Sequence, residues 1–178
     1  PDGNRAVLDD LHAVTALTKQ LYPGVPYFLL GHSMGSYLLR RYLSVYGGGL
    51  SGAVIMGTGA NPDAVAKLGM AVCKAIAAFK GWKYRSPFME KLFFSGDFQK
   101  FDMDGTHPEN SWLTKDTEIV RFYYSEPRCT FKFTLKAYYD FLKTVYYVNR
   151  KENVEKIPKD LPILMVAGDC DPVGEFGK

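Results

Sequence analysis

The sequence is sparing with the residues that usually carry proton transfer and metal chemistry. Its 178 residues include three histidines (His12, His32 and His107) and three cysteines (Cys73, Cys129 and Cys170). The cysteines are odd in number and widely spaced. That argues against a disulfide framework and matches no zinc pattern, so reduced thiols in a cytoplasmic protein are the expectation. No uninterrupted apolar run approaches the ~20 residues of a membrane-spanning helix. Low-complexity tracts and internal repeats are lacking too, and 47% hydrophobic with 23% charged residues is an ordinary globular composition. The net charge is only +3 but unevenly spread: between positions 61 and 100, Lys67, Lys74, Lys80, Lys83, Arg85, Lys91 and Lys100 face only Asp63, Glu90 and Asp97. This segment reads either as a solvated face or as a surface attracting anionic lipid headgroups or phosphate-bearing substrates. No recognised nucleic-acid-binding motif accompanies the charge, so nucleic acid is not an expected partner.

What is present is more pointed. Gly31-His32-Ser33-Met34-Gly35 directly follows the apolar run Tyr27-Phe28-Leu29-Leu30 and directly precedes an amphipathic helical pattern. Strand, sharp turn carrying a serine, and helix form the sequence pattern of a nucleophile elbow. The turn holds its serine in a strained conformation, and side chains at Gly31 and Gly35 are expected to collide with the neighbouring strand and helix. Ser33 is the candidate nucleophile. The backbone N–H of Met34, at the start of the helix, is the candidate donor to an oxyanion.

Along the chain, residues 2–22 read as a helix, with Val7, Leu11, Val14, Leu17 and Leu21 on one apolar stripe and Pro23-Gly24 as the stop. Residues 26–30 read as a short strand, apolar throughout, as in a parallel sheet covered on both faces. Residues 34–46 form the next helix, with Leu38, Leu39, Tyr42, Leu43 and Tyr46 facing the sheet, and 50–56 the next strand, closing at Gly57-Thr58-Gly59. From 61 to about 149 the pattern is helical. Val65, Leu68, Val72, Ile76 and Phe79 line one side of 64–79, and aromatic-rich helices follow near 117–124 and 130–147. No strand pattern is convincing in that stretch. The run Ile163-Leu164-Met165-Val166-Ala167 is a third buried strand, ending at Gly168-Asp169-Cys170-Asp171-Pro172. Strands alternating with helices imply an α/β fold with a parallel sheet, whose ligand site lies beyond the carboxyl ends of the strands. Ser33, Gly57-Thr58-Gly59 and Asp171 all fall at such ends.

A serine hydroxyl needs a base to take its proton, and the base needs a carboxylate to orient it. Asp171 is the candidate acid, with Asp169 a competitor. No histidine suits the base: His12 lies mid-helix, His32 precedes the serine and should point away from it, and His107 sits in the helical segment as a surface or substrate-side residue.

The glycine–serine pentapeptide, the Gly57-Thr58-Gly59 turn and Gly168-Asp169-Cys170-Asp171-Pro172-Val173-Gly174 together resemble the α/β-hydrolases. Within them, Ser111-Trp112-Leu113-Thr114-Lys115-Asp116 and Glu126-Pro127-Arg128-Cys129 look like cap segments of the bacterial lysophospholipase or monoacylglycerol-lipase-like group, also classed with the serine aminopeptidase S33 type. The resemblance implies an α/β-hydrolase core at 1–60 and 151–178, holding part of the central sheet, with a helical cap inserted at 61–150. It implies a triad of Ser33, Asp171 and a histidine beyond residue 178, since the family's order is serine, acid, histidine, and an oxyanion hole half built by Met34 N–H. The chain on its own then looks like an internal fragment expected to lack turnover. The implied reaction is cleavage of small acyl esters of the monoacylglycerol or lysophospholipid type, without metal or organic cofactor, with peripheral contact to lipid surfaces through the basic cap left open. Aromatics such as Phe79, Trp82, Phe88 and Trp112 either form the cap's own core or wall an acyl channel. Peptide or amide hydrolysis by the same triad, and a non-catalytic binding module, are the alternatives.

Overall fold

Three short strands, β1 (Phe28–His32), β2 (Gly52–Met56) and β3 (Ile163–Val166), form a parallel sheet in the order β1-β2-β3 in a computed structural model that describes residues 2–60 and 62–177. Register aligns His32 with Met56 and Met56 with Val166, so the three strands finish level. Helix α1 (Gly3–Leu21) precedes β1, and α2 (Met34–Tyr46) connects β1 to β2. Between β2 and β3 lie only helices among the described residues: α3 (Asp63–Lys80), α4 (Pro87–Phe93), α5 (Thr117–Ser125), α6 (Pro127–Thr130), α7 (Leu135–Val148) and α8 (Lys151–Val154), with two short 3-10 turns. A lone bridge between Asp102 and Ser111 is the one strand-like pairing there, and it is not part of the sheet. No helix is long and apolar enough to cross a membrane among the described residues.

The local signals explain most element ends. Asp2 caps α1 by accepting from Asn4 N–H, Ser86 caps α4 with Pro87 in its first turn, and Asp116 and Thr134 cap α5 and α7. Strand β1 starts two residues later than the apolar run suggests, because Pro26 has no N–H for the ladder, and runs on through Gly31 into the elbow. The helix expected from 130 begins instead at Leu135, after the short turn α6.

Helix α2 covers one face of the sheet. Leu39 and Leu43 pack on Ala53 and Ile55, with Leu29, Leu50, Ile157 and Leu161 around them. Helix α7 packs alongside α2, and α3 packs on α7, so the second half of the intervening segment joins the layer that flanks the sheet. Here the expected face of α3 holds only in part, since Val72 and Ile76 pack half-buried against the core. The buried residues are Ala66, Gly69, Cys73 and Ala77, whereas Val65, Leu68 and Phe79 are exposed. Small side chains win because α7 comes so close: a Cβ on Gly69 would stand 2.8 Å from Leu142 Cδ1. The apolar stripe of α1 is likewise exposed, at 40–64% from Val7 to Leu21, while Asn4, Leu8 and Thr15 are buried. The reason is that α1 packs on α2 and α7 through its other side. Phe93, Phe94, Phe98 and Trp112 stack edge-on in a chain of ring contacts, a small core of the helical segment's own.

Candidate active site

At the end of β1 the chain reverses within one residue. Ser33 has φ 50° and ψ −122°, a left-handed conformation rare for a residue with a Cβ. Such strain costs on the order of 1–3 kcal/mol and persists only where neighbours over-determine it. They do so here. Ser33 N–H donates to Met56 O at 3.0 Å, and its carbonyl accepts from Ser36 N–H at 2.8 Å and from the buried Ser36 hydroxyl at 2.6 Å. Gly31 is required by contact: a Cβ there would sit 2.4 Å from Gly35 O and 2.8 Å from Leu39 Cβ. The matching expectation for Gly35 fails, because nothing lies within 4 Å of its Cβ position; no described element packs against that side of the turn. The Ser33 hydroxyl makes no capping bond to α2. Met34 is the first residue of that helix, so its N–H has no intrahelical acceptor and points out of the positive end of the helix dipole.

The loop after β3 brings Asp171 to the same rim. Asp171 N–H donates to Gly168 O at 3.2 Å, and Oδ1 accepts from Val173 N–H at 2.9 Å, an Asx-type turn that fixes the side chain. Its other oxygen, Oδ2, lies 3.2 Å from the point where a Cβ on Gly57 would be, so it reaches over the end of β2. Gly57 has φ 57° and donates to Val166 O, and its missing side chain is what leaves room for the carboxylate. Asp169 is exposed, and the turn's hydrogen bonds run to Asp171.

Over residues 2–178 the sequence matches the family described as serine aminopeptidase, S33. The chain belongs to that family. Among solved structures, this S33 chain is similar to a thermostable carboxyl esterase from Bacillus coagulans in complex with glycerol (TM-score 0.81, 29% identity, 96% of this chain and 55% of that one). It also shares its fold with a lipase in its open form (TM-score 0.77, 20% identity, 99% of this chain and 57% of that one). The chain thus spans little more than half the length of these structures. No curated protein matches it significantly. The fold is the α/β-hydrolase fold, present here as three of its parallel strands with their helices.

Within this S33 chain none of the three histidines bonds to both Ser33 and Asp171. His12 is on α1, with Nδ1 3.1 Å from Tyr42 Oη and its ring stacked on Tyr46. His107 is exposed beside Glu109. His32 is more instructive: its ring lies 3.7 Å from the Gly57 Cβ position, sharing the space over the end of β2 with Asp171 Oδ2.

Two residues of α2 that carry no motif signal support the rim from beneath. Arg40 donates to Thr58 Oγ1 and Gly59 O from one nitrogen and to Val148 O and Asn149 Oδ1 from another, tying α2 to the rim turn after β2 and to the end of α7. Its burial lowers the guanidinium from its usual pKa, and the charge of the nearby Tyr37 phenolate acts in the opposite direction. Tyr37 is buried beside Gly59 and lies close enough to Asp171 to feel its charge. Burial pushes its phenol up, the nearby Arg40 pulls the other way, and the Asp171 carboxylate adds to the rise. Only their place one and two turns after Ser33, on a helix that must pack beneath the rim, could have singled them out. A cleft of about 410 Å³ opens between α2, α8 and β3, lined by Arg40, Ser44, Ile55, Ile157 and Met165 among others. Ser33, Met34 and Asp171 do not line it, so it flanks the sheet apart from these candidate residues.

Proposed function

We propose that the protein is a serine hydrolase that cleaves carboxylic esters of acyl lipids, of the monoacylglycerol or lysophospholipid type. The observation that carries this reading is Ser33, strained at φ 50° with its hydroxyl unused by the helix it starts, on the rim that also holds Asp171. Ser33 Oγ attacks the ester carbonyl as its proton passes to a histidine. The oxyanion that forms accepts from Met34 N–H, and Asp171 holds the imidazole in the tautomer that accepts that proton. The proton then goes to the departing alcohol, and water repeats the sequence to free the fatty acid. His32 neighbours Asp171 but makes no hydrogen bond to it or to Ser33 among the described residues, which favours a base from another part of the hydrolase fold. The chain alone is then inactive. Ester chemistry is supported by the likeness to a carboxyl esterase, and family membership by a description that names an aminopeptidase; amide cleavage by the same groups is the second reading. A cytoplasmic location accords with three cysteines and no spanning helix among the described residues.

The test is turnover by the full-length protein on a monoacylglycerol, a lysophospholipid and an aminoacyl anilide, each with and without Ser33→Ala. Expected is ester hydrolysis that falls by about 10⁴-fold or more in the variant. Anilide cleavage outpacing both esters selects the peptidase reading, and hydrolysis that survives Ser33→Ala overturns both.

A further inference from the structure

The stretch from the end of α3 through the turn to α4 is exposed without interruption from position 79 to position 85, and its sequence is Phe79-Lys80-Gly81-Trp82-Lys83-Tyr84-Arg85. Three aromatic rings and three cations are thus exposed within seven residues, with no acidic residue among them. Phe79 is 89% exposed, and Phe88 and Phe131 add two more rings at 61% each. Exposing this much aromatic surface is unfavourable in water unless something covers it. Lys91 and Lys132 extend the positive charge. Glu90, the nearby carboxylate, is taken by Lys132 at 3.0 Å, while Lys80, Lys83, Arg85 and Lys91 have no carboxylate partner among the described residues.

The turn is built rather than loose. Gly81 N–H donates to Ala77 O, Leu135 N–H to Tyr84 O, Lys136 N–H to Trp82 O, and Arg85 Nε to Lys132 O. Trp82 meets Tyr139 edge-on at 5.3 Å, which holds the indole in place while leaving 39% of the residue open. Its position relative to Ser33 follows from helix direction. Tyr37 of α2 meets Phe141 of α7, and Ser44 meets Tyr147, so the two helices run the same way. Phe141 is six residues into α7, about 9 Å at 1.5 Å per residue, whereas Tyr37 is only three residues into α2. The start of α7, and the turn bonded to it, therefore project past the start of α2 on the side where Ser33 lies.

We propose that the turn at 79–85, with Phe88 and Phe131, docks on an anionic membrane surface and holds the Ser33 rim toward the lipid. Tryptophan and tyrosine settle at the headgroup level with the ring body in the acyl boundary, and lysine and arginine reach past them to anionic headgroups. Rings alone would suit any apolar partner; rings together with unpaired cations suit a bilayer that carries negative charge. The docking itself does not depend on Ser33 being a nucleophile, whereas its use in delivering acyl substrate does.

Co-sedimentation of the full-length protein with phosphatidylcholine vesicles, with and without phosphatidylglycerol, tests this. Both the Ser33→Ala protein and the unaltered one should bind the anionic vesicles, which separates docking from catalysis. Removing a cation beside an anionic surface costs about fivefold in affinity, so Lys80→Gln with Lys83→Gln should weaken binding on the order of twentyfold. Lys159→Gln, beside the amino end of β3, should leave it unchanged. These lysines are exposed, so folding is not at stake, and Trp82→Ala gives a second reading by removing the ring anchor. The proposal is overturned by absence of binding to anionic vesicles, by equal binding to pure phosphatidylcholine, or by binding that the Lys80/Lys83 change leaves intact. Lysine-dependent binding to a free polynucleotide with none to vesicles assigns the surface to nucleic acid instead and also overturns it.

Discussion

Along β1 and β2 the two faces of the sheet are alike in apolar sequence and differ in environment, while β3, at the edge, is exposed on both. On one, Leu29, Ala53 and Ile55 lie under Leu39 and Leu43 of α2. On the other, Phe28, Leu30 and Leu164 are 59–63% exposed, with Val166 at 37%. Alternation would mark a strand meant to have one wet face; β1, β2 and β3 show no alternation, and strands of that kind are found buried on both sides. The exposed stripe of α1 repeats the pattern. The covered face shows what this chain stabilises by itself, and the bare face is one that strands of this kind keep covered; the similar carboxyl esterase, of which this chain covers 55%, is the longer of the two. Ser33 and Asp171 stand at the end of the sheet shared by both faces, and the supports traced to them, from Ser36, Tyr37 and Arg40, come from the covered one.

The sharpest way to break the comparison is at the elbow, where the two glycines point to unequal surroundings. Gly31→Ala places a methyl group 2.4 Å from a backbone oxygen, which no rotamer can relieve, and should cost about 4 kcal/mol or more or prevent folding. Gly35→Ala meets nothing within 4 Å and sits in a helix, where alanine is favoured over glycine by up to ~1 kcal/mol, so it should be neutral or mildly stabilising in this chain. Urea unfolding of the two variants measures the difference. Equal losses would mean that Gly35 is packed after all.

The faces themselves can be set against each other with one substitution type. Leu43→Ala on the covered side, from a residue 1% exposed, should lose about 3 kcal/mol through lost burial and the cavity left. Leu164→Ala on the bare side should stay within about 0.5 kcal/mol in this chain. In the full-length protein the Leu164 variant should rise toward the Leu43 value, provided the missing cover is part of the same polypeptide. A Leu164→Ala change that remains silent there would mean that this face stays open in the finished protein.

Which features could be read from the sequence follows the same division. The order of strands and helices, the elbow at Ser33 and the acid loop at Asp171 are set by short-range signals: glycine and proline punctuation, caps, and runs of apolar residues. The faces of α1 and α3 are not, because an apolar stripe says that something covers it without saying what. On α3 the eye goes to Val65, Leu68 and Phe79, whereas α7 selects Ala66, Gly69, Cys73 and Ala77 for closeness. Arg40 and Tyr37 were equally hidden, since their partners at Thr58, Gly59, Val148 and Asn149 come together only in the folded chain.

Arg40 sharpens the comparison further, because it links the covered face to the rim. Arg40→Met keeps much of the side chain's length but leaves Gly59 O and Val148 O without this donor, for an expected loss of about 2 kcal/mol. In the full-length protein it should lower kcat more than it raises KM, because the disturbed element is the turn against which the Asp171 loop rests: a Cβ on Gly59 would stand 2.4 Å from Val173 O. Arg40→Lys should recover only part of the loss, since one ammonium cannot reproduce the fork that serves both Gly59 and Val148. Unchanged kcat with a raised KM would place Arg40 on the substrate side instead.

The smallest expected effect probes how far the covered side extends, through α7 to α3. Cys73 is fully buried between these helices, and burial pushes its thiol up to about 11 from 9.0. Tyr138, packed in the same cluster, is raised to about 12 by burial, with the charges of Glu90 and Cys73 adding to it. Both groups are neutral when protonated, so their stabilisation is fully present below the unfolded-state values. Above pH 9 the unfolded chain releases the Cys73 proton while the native chain keeps it, and stability should fall between pH 9 and pH 11. Tyr138 should add a second loss between pH 10 and pH 12. The thiol's share is about 2 kcal/mol. Urea midpoints across this range should therefore drop less steeply between pH 9 and pH 11 in Cys73→Ala than in the unaltered chain, whatever the variant's own cost at neutral pH. An identical slope would mean that the thiol is wetter than its place between α3 and α7 implies, and that the packed layer opens before it titrates.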